Sequence, residues 1–293
     1  MSSCLKTSPE KGSGSARRTS SQAAQPGQAQ ASVVIPCVNE APSIALCIDK
    51  PLAEKIFVVI PAYQAALTIE DVFQRLGHEL RAKDITYVVV EDGCTDGTVN
   101  VVRRIQAGRR DVRLIKHGKN RGYAQAQKTG FTAALEAGAD IIVLLHADGQ
   151  YAPEMLPTLL APLERDEADL VQGSRMVNRR DALKGGMPLA RWLGNVFLST
   201  LENWVYGLKM AEYHSGYMLY KRRVLTSIPF HQLSNTFHFD GEMLFMAAKR
   251  GMRIKEIAIP TRYADEKSHL NPITYGFNVL RIMWKYVRGH YDF

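Results

Sequence analysis

The sequence has no long uncharged apolar segment, and this absence bears first on membranes. No run of about 18 to 20 apolar residues occurs among its 293 residues, so it predicts no transmembrane helix. Its start, MSSCLKTSPEKGSGSARR, has no apolar core of the kind that a secretory signal needs. We therefore expect a cytoplasmic protein.

Cysteine is scarce, and charge of one sign is in excess. The four cysteines, Cys4, Cys37, Cys47 and Cys94, show no CxxC spacing, which argues against a zinc site or a disulfide framework and favours a reducing compartment. The net charge of +8 suits an anionic partner such as a nucleotide, a nucleic acid or a membrane surface. The basic residues form no stripe interleaved with stacking aromatics, so we expect no nucleic acid partner.

Two common phosphate-binding loops are also missing. The sequence has no GxxxxGK[ST] loop, and no GxGxxG follows its first strong strand. These absences argue against a P-loop enzyme and against the usual dinucleotide-binding fold. A nucleotide held by side chains and a metal remains compatible with the sequence.

Composition divides the chain into three predicted parts. Residues 1–54 form a low-complexity extension that we expect to be disordered. Within 33–48 it carries VVIPCVNEAPSIALC, which ends at Cys47 and resembles VVIPAYQAALTIEDV at Val58–Val72. We interpret this first copy as a vestigial repeat of a strand–helix start, the alternative being an amphipathic linker. The working domain is placed at 55–270, followed by a C-terminal helix at 271–293.

From residue 55 onwards, short apolar strands alternate with helical patterns. This alternation predicts an α/β fold with a mostly parallel central sheet sandwiched by helices. In such sheets the ligand crevice lies at the carboxyl ends of the strands. The predicted strands are Phe57–Ile60, Tyr87–Val90, Arg113–Ile115 and Ile141–Leu145, and the predicted helices are Thr68–Leu80, Thr98–Gln106 and Ala124–Ala137.

Three of these strands end in side chains that can bind a ligand. Carboxylates gathered at one sheet edge repel each other unless a cation or hydrogen-bond donors compensate them. The sequence therefore predicts a ligand site at this edge. The strand-end residues are Pro61 and Tyr63, then Glu91 and Asp92, then His146, Asp148 and Gln150.

Four segments in this order, VVIPAY, VVVEDGCTDGT, LLHADGQYAPE and LVQGSR, resemble those of a family 2 glycosyltransferase with the GT-A nucleotide-sugar-binding fold. The closest likeness within that family is to the dolichyl-phosphate mannose or glucose synthase-like branch, over residues 56 to 270. The resemblance implies an inverting, metal-dependent transfer of a sugar from a nucleoside-diphosphate sugar to an acceptor.

The resemblance also implies which strand-end residues bind the donor and its metal. Mn²⁺ or Mg²⁺ would be held across the donor diphosphate at the place of the family's Asp-x-Asp motif, where the first Asp is His146 in this chain. Imidazole is a poor ligand for Mg²⁺ and an acceptable one for Mn²⁺. The alternative role of His146 is therefore to form a hydrogen bond with the ribose or a phosphate. The implied donor residues are Pro61, Tyr63, Glu91, Asp92, His146 and Asp148, and the implied metal ligands are Asp148, Gln150 and His146.

The second half of the sequence resembles the family's acceptor side. The resemblance implies three cations that face the donor phosphates. They are Arg175 in QGSR, Arg262 at the end of the last predicted strand and Lys267 in the loop after it. Tyr213 or His214 lies near the acid of a D-x-x-S-G turn. Asp148 and Asp240 are the catalytic candidates. Asp240 would deprotonate an acceptor hydroxyl, or position the acceptor if the acceptor is an ionised phosphate. The alternative role of Asp240 is that of a helix N-cap.

The sequence does not distinguish between three classes of acceptor: a lipid phosphate, a glycan and a small-molecule hydroxyl. The last segment, ITYGFNVLRIMWKYVRGHYDF, is basic, aromatic and amphipathic, as interfacial helices are. It predicts either a peripheral contact with the inner face of the membrane or packing onto its own domain. A sugar-nucleotide-binding protein with a decayed active site is the rival hypothesis.

Overall fold

A seven-stranded mixed sheet forms the centre of the protein, in a computed structural model that describes residues 53–261 and 272–293. The strand order is β3-β2-β1-β4-β6-β5-β7. Only β6 runs antiparallel to its neighbours, and the other strand pairs are parallel. The strands are β1 (Ile56–Ala62), β2 (Ile85–Glu91), β3 (Val112–Lys116), β4 (Ile141–Leu144), β5 (Leu170–Ser174), β6 (Tyr217–Lys221) and β7 (Ile254–Ala258).

Nine α-helices occur among the described residues. They are α1 (Ile69–Gln74), α2 (Thr98–Gly108), α3 (Tyr123–Glu136), α4 (Leu156–Glu164), α5 (Arg179–Lys184), α6 (Leu189–Tyr206), α7 (Arg222–Ser227), α8 (Phe239–Lys249) and α9 (Pro272–Val287). The single helix predicted over residues 68–80 is in fact α1 and a separate 3₁₀ helix at His78–Ala82. Gly77 adopts an extended conformation between them and interrupts the helix.

The sheet is covered on both faces, as the continuous apolar strands predict. Alternate residues of β1 face opposite sides, so Val58 and Ile60 join one apolar cluster while Phe57 and Val59 join the other. Helices α1, α2 and α4 contribute to the first cluster, and α3, α6, α7, α8 and α9 to the second. The predicted sandwich of helices around a mostly parallel sheet is confirmed.

Helix α3 lies unusually close to the sheet. A Cβ on Gly130 would meet the Cγ1 atom of Val59 at 2.2 Å, so only glycine allows this approach. Because α3 follows the carboxyl end of β3, its first turn lies at the edge where the parallel strands end. This placement brings Tyr123 to that edge.

Helix α9 packs against α6 and buries Val279 and Met283 in the second apolar cluster. Within the described ranges, no helix has the length and apolar character needed to cross a bilayer. The predicted extension at 1–54, apart from its last two residues, and Arg262 and Lys267 lie outside the described residues.

Candidate active site

The strand register brings the predicted site residues to one edge of the sheet. Ala62 at the end of β1 pairs with Glu91 at the end of β2. Leu144 at the end of β4 pairs with Met218 near the start of the antiparallel β6. The edge therefore collects the chain after each of the strands β1 to β5 and the chain just before β6. The predicted residues at this edge are Pro61, Tyr63, Glu91, Asp92, His146, Asp148, Gln150 and Arg175.

Glu91 and Asp92 are buried and hydrogen-bonded to their own chain. Asp92 is 3% exposed and accepts hydrogen bonds from the backbone N–H groups of Arg121 and Gly122, each at 2.8 Å. Its Oδ1 also lies 2.7 Å from Nδ1 of His117. Glu91 accepts a hydrogen bond from the backbone of Cys94. These two carboxylates hold the loops on either side in place, and their contact with the donor stays a prediction.

His117 was not among the predicted residues, although a signal for it exists. It directly follows β3, so it occupies the same strand-end position that singled out the other candidates. Its side chain is 3% exposed and its Nε2 lies 2.9 Å from Oγ1 of Thr129 in α3. His117 therefore connects the loop after β2 to α3.

The loop after β1 presents an open aromatic ring. Tyr63 is 55% exposed, and Pro61 is partly buried beside it. The next residue, Gln64, has a φ of 51°, and its Oε1 accepts a hydrogen bond from the backbone of Thr95 at 2.9 Å. A ring on a loop fixed in this way can stack on a nucleotide base.

His146 forms part of a hydrogen-bonded chain of three residues. Its Nε2 lies 2.6 Å from the hydroxyl of Tyr123, which donates to Oδ2 of Asp240 at 3.0 Å. Burial lowers the pKa of His146 below its ordinary value, an effect that Asp148 opposes and Arg175 reinforces. His146 is therefore a neutral imidazole at neutral pH.

Asp240 is a buried carboxyl in the first turn of α8. It is 5% exposed, and burial raises its pKa to about 7, against hydrogen bonding by Gln127 and Tyr123. The alternative role as an N-cap is wrong, because the cap position of α8 is His238 and the Asp240 carboxyl bonds Tyr123. Burial, with the nearby His214, lowers the pKa of His238 to about 4, so His238 is also neutral.

Arg175 lies at the edge but is held by the protein itself. Its guanidinium donates to the carbonyl oxygen of His214 at 3.2 Å and lies 3.6 Å from the Glu212 carboxylate. Its backbone N–H also donates to Glu212 at 2.6 Å. The guanidinium carbon lies 5.4 Å from the ring centre of Tyr151. This arrangement fixes the position of a cation next to His146.

Glu212 is another residue that the sequence reasoning missed. A D-x-x-S-G turn has its acid three residues before the serine, and Glu212 stands at that distance from Ser215. It is fully buried and contacts Arg175. Tyr213, one of the two residues placed near this acid, lies in the core, and its hydroxyl donates to Asn203. Counting back from Ser215 would have identified Glu212.

The residues around Asp148 fit a cation that is shared with a ligand. Oδ1 of Asp148 accepts a hydrogen bond from the backbone of Gln150 at 3.0 Å, and the carboxylate is partly exposed. The described residues contain no cluster of three or more His, Cys, Asp or Glu side chains placed to hold a metal. One carboxylate and an amide oxygen are hard ligands suited to Mg²⁺ or Mn²⁺. A diphosphate and water molecules would supply the remaining ligands of such a cation.

Comparison with known proteins identifies the class of the protein. The family model for Glycosyl transferase family 2 matches residues 57–228, more than half of the chain. The chain belongs to this family and is a glycosyltransferase that uses a nucleotide sugar.

Characterised relatives and solved structures agree with this assignment. The chain is 28% identical over 227 residues to the UDP-N-acetylglucosamine–dolichyl-phosphate N-acetylglucosaminyltransferase of Methanococcus voltae, covering 73% of this chain and 88% of the relative. It is 29% identical over 212 residues to the undecaprenyl-phosphate mannosyltransferase of Micrococcus luteus, covering 70% and 82%. The branch suggested by the sequence motifs is therefore confirmed.

The fold is shared with the glucosyl-3-phosphoglycerate synthase of Mycobacterium tuberculosis. Its complex with Mn²⁺, uridine diphosphate and glucosyl-3-phosphoglycerate superposes with a TM-score of 0.57 at 20% identity, covering 82% of this chain and 80% of that one. The expected GT-A fold is confirmed.

Proposed function

We propose that this enzyme transfers a sugar from a nucleoside-diphosphate sugar, with inversion, to a polyprenyl phosphate at the surface of a membrane. The supporting observation is an exposed apolar and basic face formed by α6 and α9. Relatives with dolichyl-phosphate and undecaprenyl-phosphate in their names are consistent with this acceptor. A cytoplasmic enzyme bound to the inner face of the membrane is the corresponding location.

The outer face of α6 and α9, here called the apolar face, exposes large side chains that a soluble surface would not need. Such patches mark interaction sites. Neither helix has an exposed acidic residue, since the one acid in them, Glu202, is 4% exposed. The apolar members are Leu189 (61% exposed), Leu193 (53%), Phe197 (66%), Trp204 (83%), Phe277 (68%), Leu280 (41%), Trp284 (55%) and Val287 (72%).

Cations accompany these apolar side chains. Arg281 and Arg288 are exposed on or directly after α9, and Lys285 is partly exposed there. The guanidinium of Arg288 lies 5.2 Å from the ring centre of Trp284. Aromatic and basic side chains together on an amphipathic helix favour an interface with anionic lipid head groups. This charge complementarity supports a bilayer surface as the occupant of the apolar face.

The same helix reaches the acceptor side of the site. The hydroxyl of Tyr275 in α9 lies 3.0 Å from Nδ1 of His214, and its ring lies 4.4 Å from that of His238. His238 is two residues before Asp240. An acceptor whose chain stays in the bilayer could therefore present its phosphate near Asp240 without leaving the membrane.

The chemistry assigned to the chain's residues follows from charge. Asp148, with Gln150, would hold a divalent cation against the donor diphosphate, and the cation would neutralise charge on the leaving nucleoside diphosphate. Arg175 supplies a fixed positive charge beside it. A phosphate monoester is already largely ionised near neutral pH, so its oxygen can attack without a strong base. Asp240 would then orient the acceptor.

The test compares enzymes with and without the apolar face. The double variant Phe277→Ser/Trp284→Ser should bind anionic lipid vesicles at least tenfold more weakly, because the two large exposed aromatic side chains of α9 are removed. Transfer of labelled sugar to vesicle-borne polyprenyl phosphate should fall in parallel. The stabilisation of the protein by the donor nucleotide with Mn²⁺ should not change, since the donor edge is untouched.

Leu67→Ser is the matched control. Leu67 is 96% exposed and lies outside both helices, so its loss should leave vesicle binding unchanged. Full transfer activity of the double variant on vesicles would overturn the proposal.

A hydroxyl acceptor is a second candidate, which the buried Asp240 favours. A carboxyl with a pKa of about 7 is well matched to deprotonating a hydroxyl near neutral pH. This function predicts transfer to a water-soluble saccharide or small molecule without vesicles. It also predicts that Asp240→Asn loses most of its turnover, whereas a phosphate acceptor predicts a smaller loss.

A further inference from the structure

The hydroxyl of Tyr123 touches both sides of the candidate active site. It lies 2.6 Å from Nε2 of His146, on the donor side, and 3.0 Å from Oδ2 of Asp240, on the acceptor side. Tyr123 stands at the start of α3, which the approach of Gly130 fixes against the sheet. One rigid side chain thus connects residues from the loop after β4 and from α8.

The surroundings leave this hydrogen bond little freedom. A Cβ on Gly216 would lie 2.5 Å from Nε2 of His146 and 2.6 Å from the Tyr123 hydroxyl, so the backbone of Gly216 closes the bond from one side. The ring of Tyr151 lies 4.6 Å from the imidazole. The exposed ring of Phe237 stacks on Tyr123 at 5.5 Å. Tyr123 is therefore held in one position by its neighbours.

When Asp240 is ionised, the number of protons on these three residues determines which atoms carry them. A tyrosine hydroxyl has one proton to donate. When it donates to the Asp240 carboxylate, its oxygen can only accept from His146, so Nε2 of His146 must carry the proton. The unprotonated nitrogen of the ring is then Nδ1. On the other side, the Asp240 carboxyl is buried and interacts with Gln127 as well as with Tyr123.

We propose that Tyr123 is a positioning residue that fixes the Nε2–H tautomer and ring orientation of His146 and the orientation of the Asp240 carboxyl. In this tautomer Nδ1 is the ring nitrogen of His146 that can accept a hydrogen bond or bind a ligand. This role rests on the proposed function of the site.

The test is the tautomer of His146, read by ¹⁵N NMR of histidine-labelled protein at pH 8 without substrates, metals or vesicles. The His146→Gln variant assigns the resonances. The wild-type protein should show a protonated Nε2 and an unprotonated Nδ1. In Tyr123→Phe the two tautomers should become mixed, because the phenyl ring cannot accept the proton of Nε2.

Steady-state kinetics of sugar transfer provide the second test. Tyr123→Phe should lower kcat by about 10-fold to 100-fold, the effect expected for a misplaced catalytic group, with the KM for the donor changed little. Tyr291→Phe is the matched control, since it removes another buried tyrosine hydroxyl that donates to a carboxylate, 2.6 Å from Glu242. That control should leave the His146 resonances unchanged.

Two results would overturn the proposal. One is the finding that His146 is protonated on Nδ1 in the wild-type protein. This measurement does not depend on whether any variant folds. The other is a Tyr123→Phe protein with the wild-type tautomer and kcat. Since the NMR reading involves no acceptor, it is independent of whether the acceptor is a polyprenyl phosphate.

Discussion

At the scale of the residue, Asp148 is the carboxylate from which the donor chemistry is expected to start. It is partly exposed, and no second acid accompanies it in the motif, because His146 is a neutral imidazole. Asp148→Ala should therefore lower kcat by roughly 10²-fold to 10³-fold, as for other groups that stabilise developing charge. The measurement is steady-state sugar transfer at saturating Mn²⁺.

The control for this prediction is Asp181→Ala, which removes an acid that is 63% exposed and lies in α5, outside the site. Its turnover should match that of the wild type. Near-normal turnover in Asp148→Ala would contradict the assignment of Asp148 as the principal metal ligand.

Asp240 carries a prediction about pH and stability. Its pKa in the folded protein is about 7, against an ordinary value of 3.8, so the folded state holds the proton more tightly than the unfolded state. Its contribution to stability is thus present below about pH 4 and is lost as the pH rises to about 7. Asp240→Asn mimics the protonated form and should remove this loss.

Urea unfolding at pH 4.5 and pH 8 measures the effect. Relative to the wild type, Asp240→Asn should become more stable on going from pH 4.5 to pH 8, by at most about 4 kcal/mol, since each unit of pKa shift corresponds to about 1.4 kcal/mol. A difference in unfolding free energy that does not change with pH would show that Asp240 is ionised in the folded protein throughout this range.

At the scale of the element, Lys128 holds the segment that leads into α8. This lysine of α3 is 2% exposed, and it donates to the carbonyl oxygen of Leu233 at 2.6 Å and to Oδ1 of Asn235 at 2.7 Å. Burial lowers the pKa of Lys128. Since α8 begins with Phe239 and Asp240, the lysine connects α3 to the acceptor side of the site.

Lys128→Met should remove these donors and leave buried oxygens without partners. The expected cost is about 1 to 3 kcal/mol of unfolding free energy, together with a lower kcat because Asp240 loses its support. Lys116→Met is the control: Lys116 is exposed on β3, and its loss should change stability by less than about 0.5 kcal/mol. Equal stability of the two variants would show that the Lys128 contacts contribute nothing.

The elements also show what the sequence could and could not predict. The strands were predicted because continuous apolar runs such as Ile141–Leu145 are typical of a sheet covered on both faces, and their order along the chain indicated which ends meet. The break of the first helix at Gly77 was missed, because the apolar pattern continues across it. Tyr123 and Lys128 were missed for a different reason. Their roles depend on contacts with residues between 23 and 117 positions away, which no local pattern records.

Glu212 and His117 could have been found by stricter counting. Glu212 has the spacing to Ser215 that the motif requires, and His117 follows a strand as the other candidates do. Position along a strand therefore predicts which residues reach the edge. Which of them contact one another is decided by packing, as the bond between Tyr123 and His146 illustrates.

At the scale of the whole molecule, the distribution of the net charge of +8 decides how it contributes to membrane binding. Arg281, Lys285 and Arg288 accompany the apolar face. Other cations lie on α2 and β3, outside the two helices that form this face. If net charge alone drew the protein to a membrane, any cations would serve equally. If the apolar face binds, only cations within a Debye length, roughly 8 Å at physiological salt, of the lipid surface should contribute.

The triple variant Arg281→Glu/Lys285→Glu/Arg288→Glu separates these cases. Each cation near an anionic bilayer contributes about 1 kcal/mol, so the variant should bind vesicles containing anionic lipid at least 10²-fold more weakly, measured by co-sedimentation. The control Arg103→Glu/Arg110→Glu/Lys116→Glu changes the net charge by the same amount at exposed positions of α2, the turn after it and β3. It should bind almost as well as the wild type. Equal weakening in both variants would mean that net charge, and not the apolar face, brings the protein to the membrane.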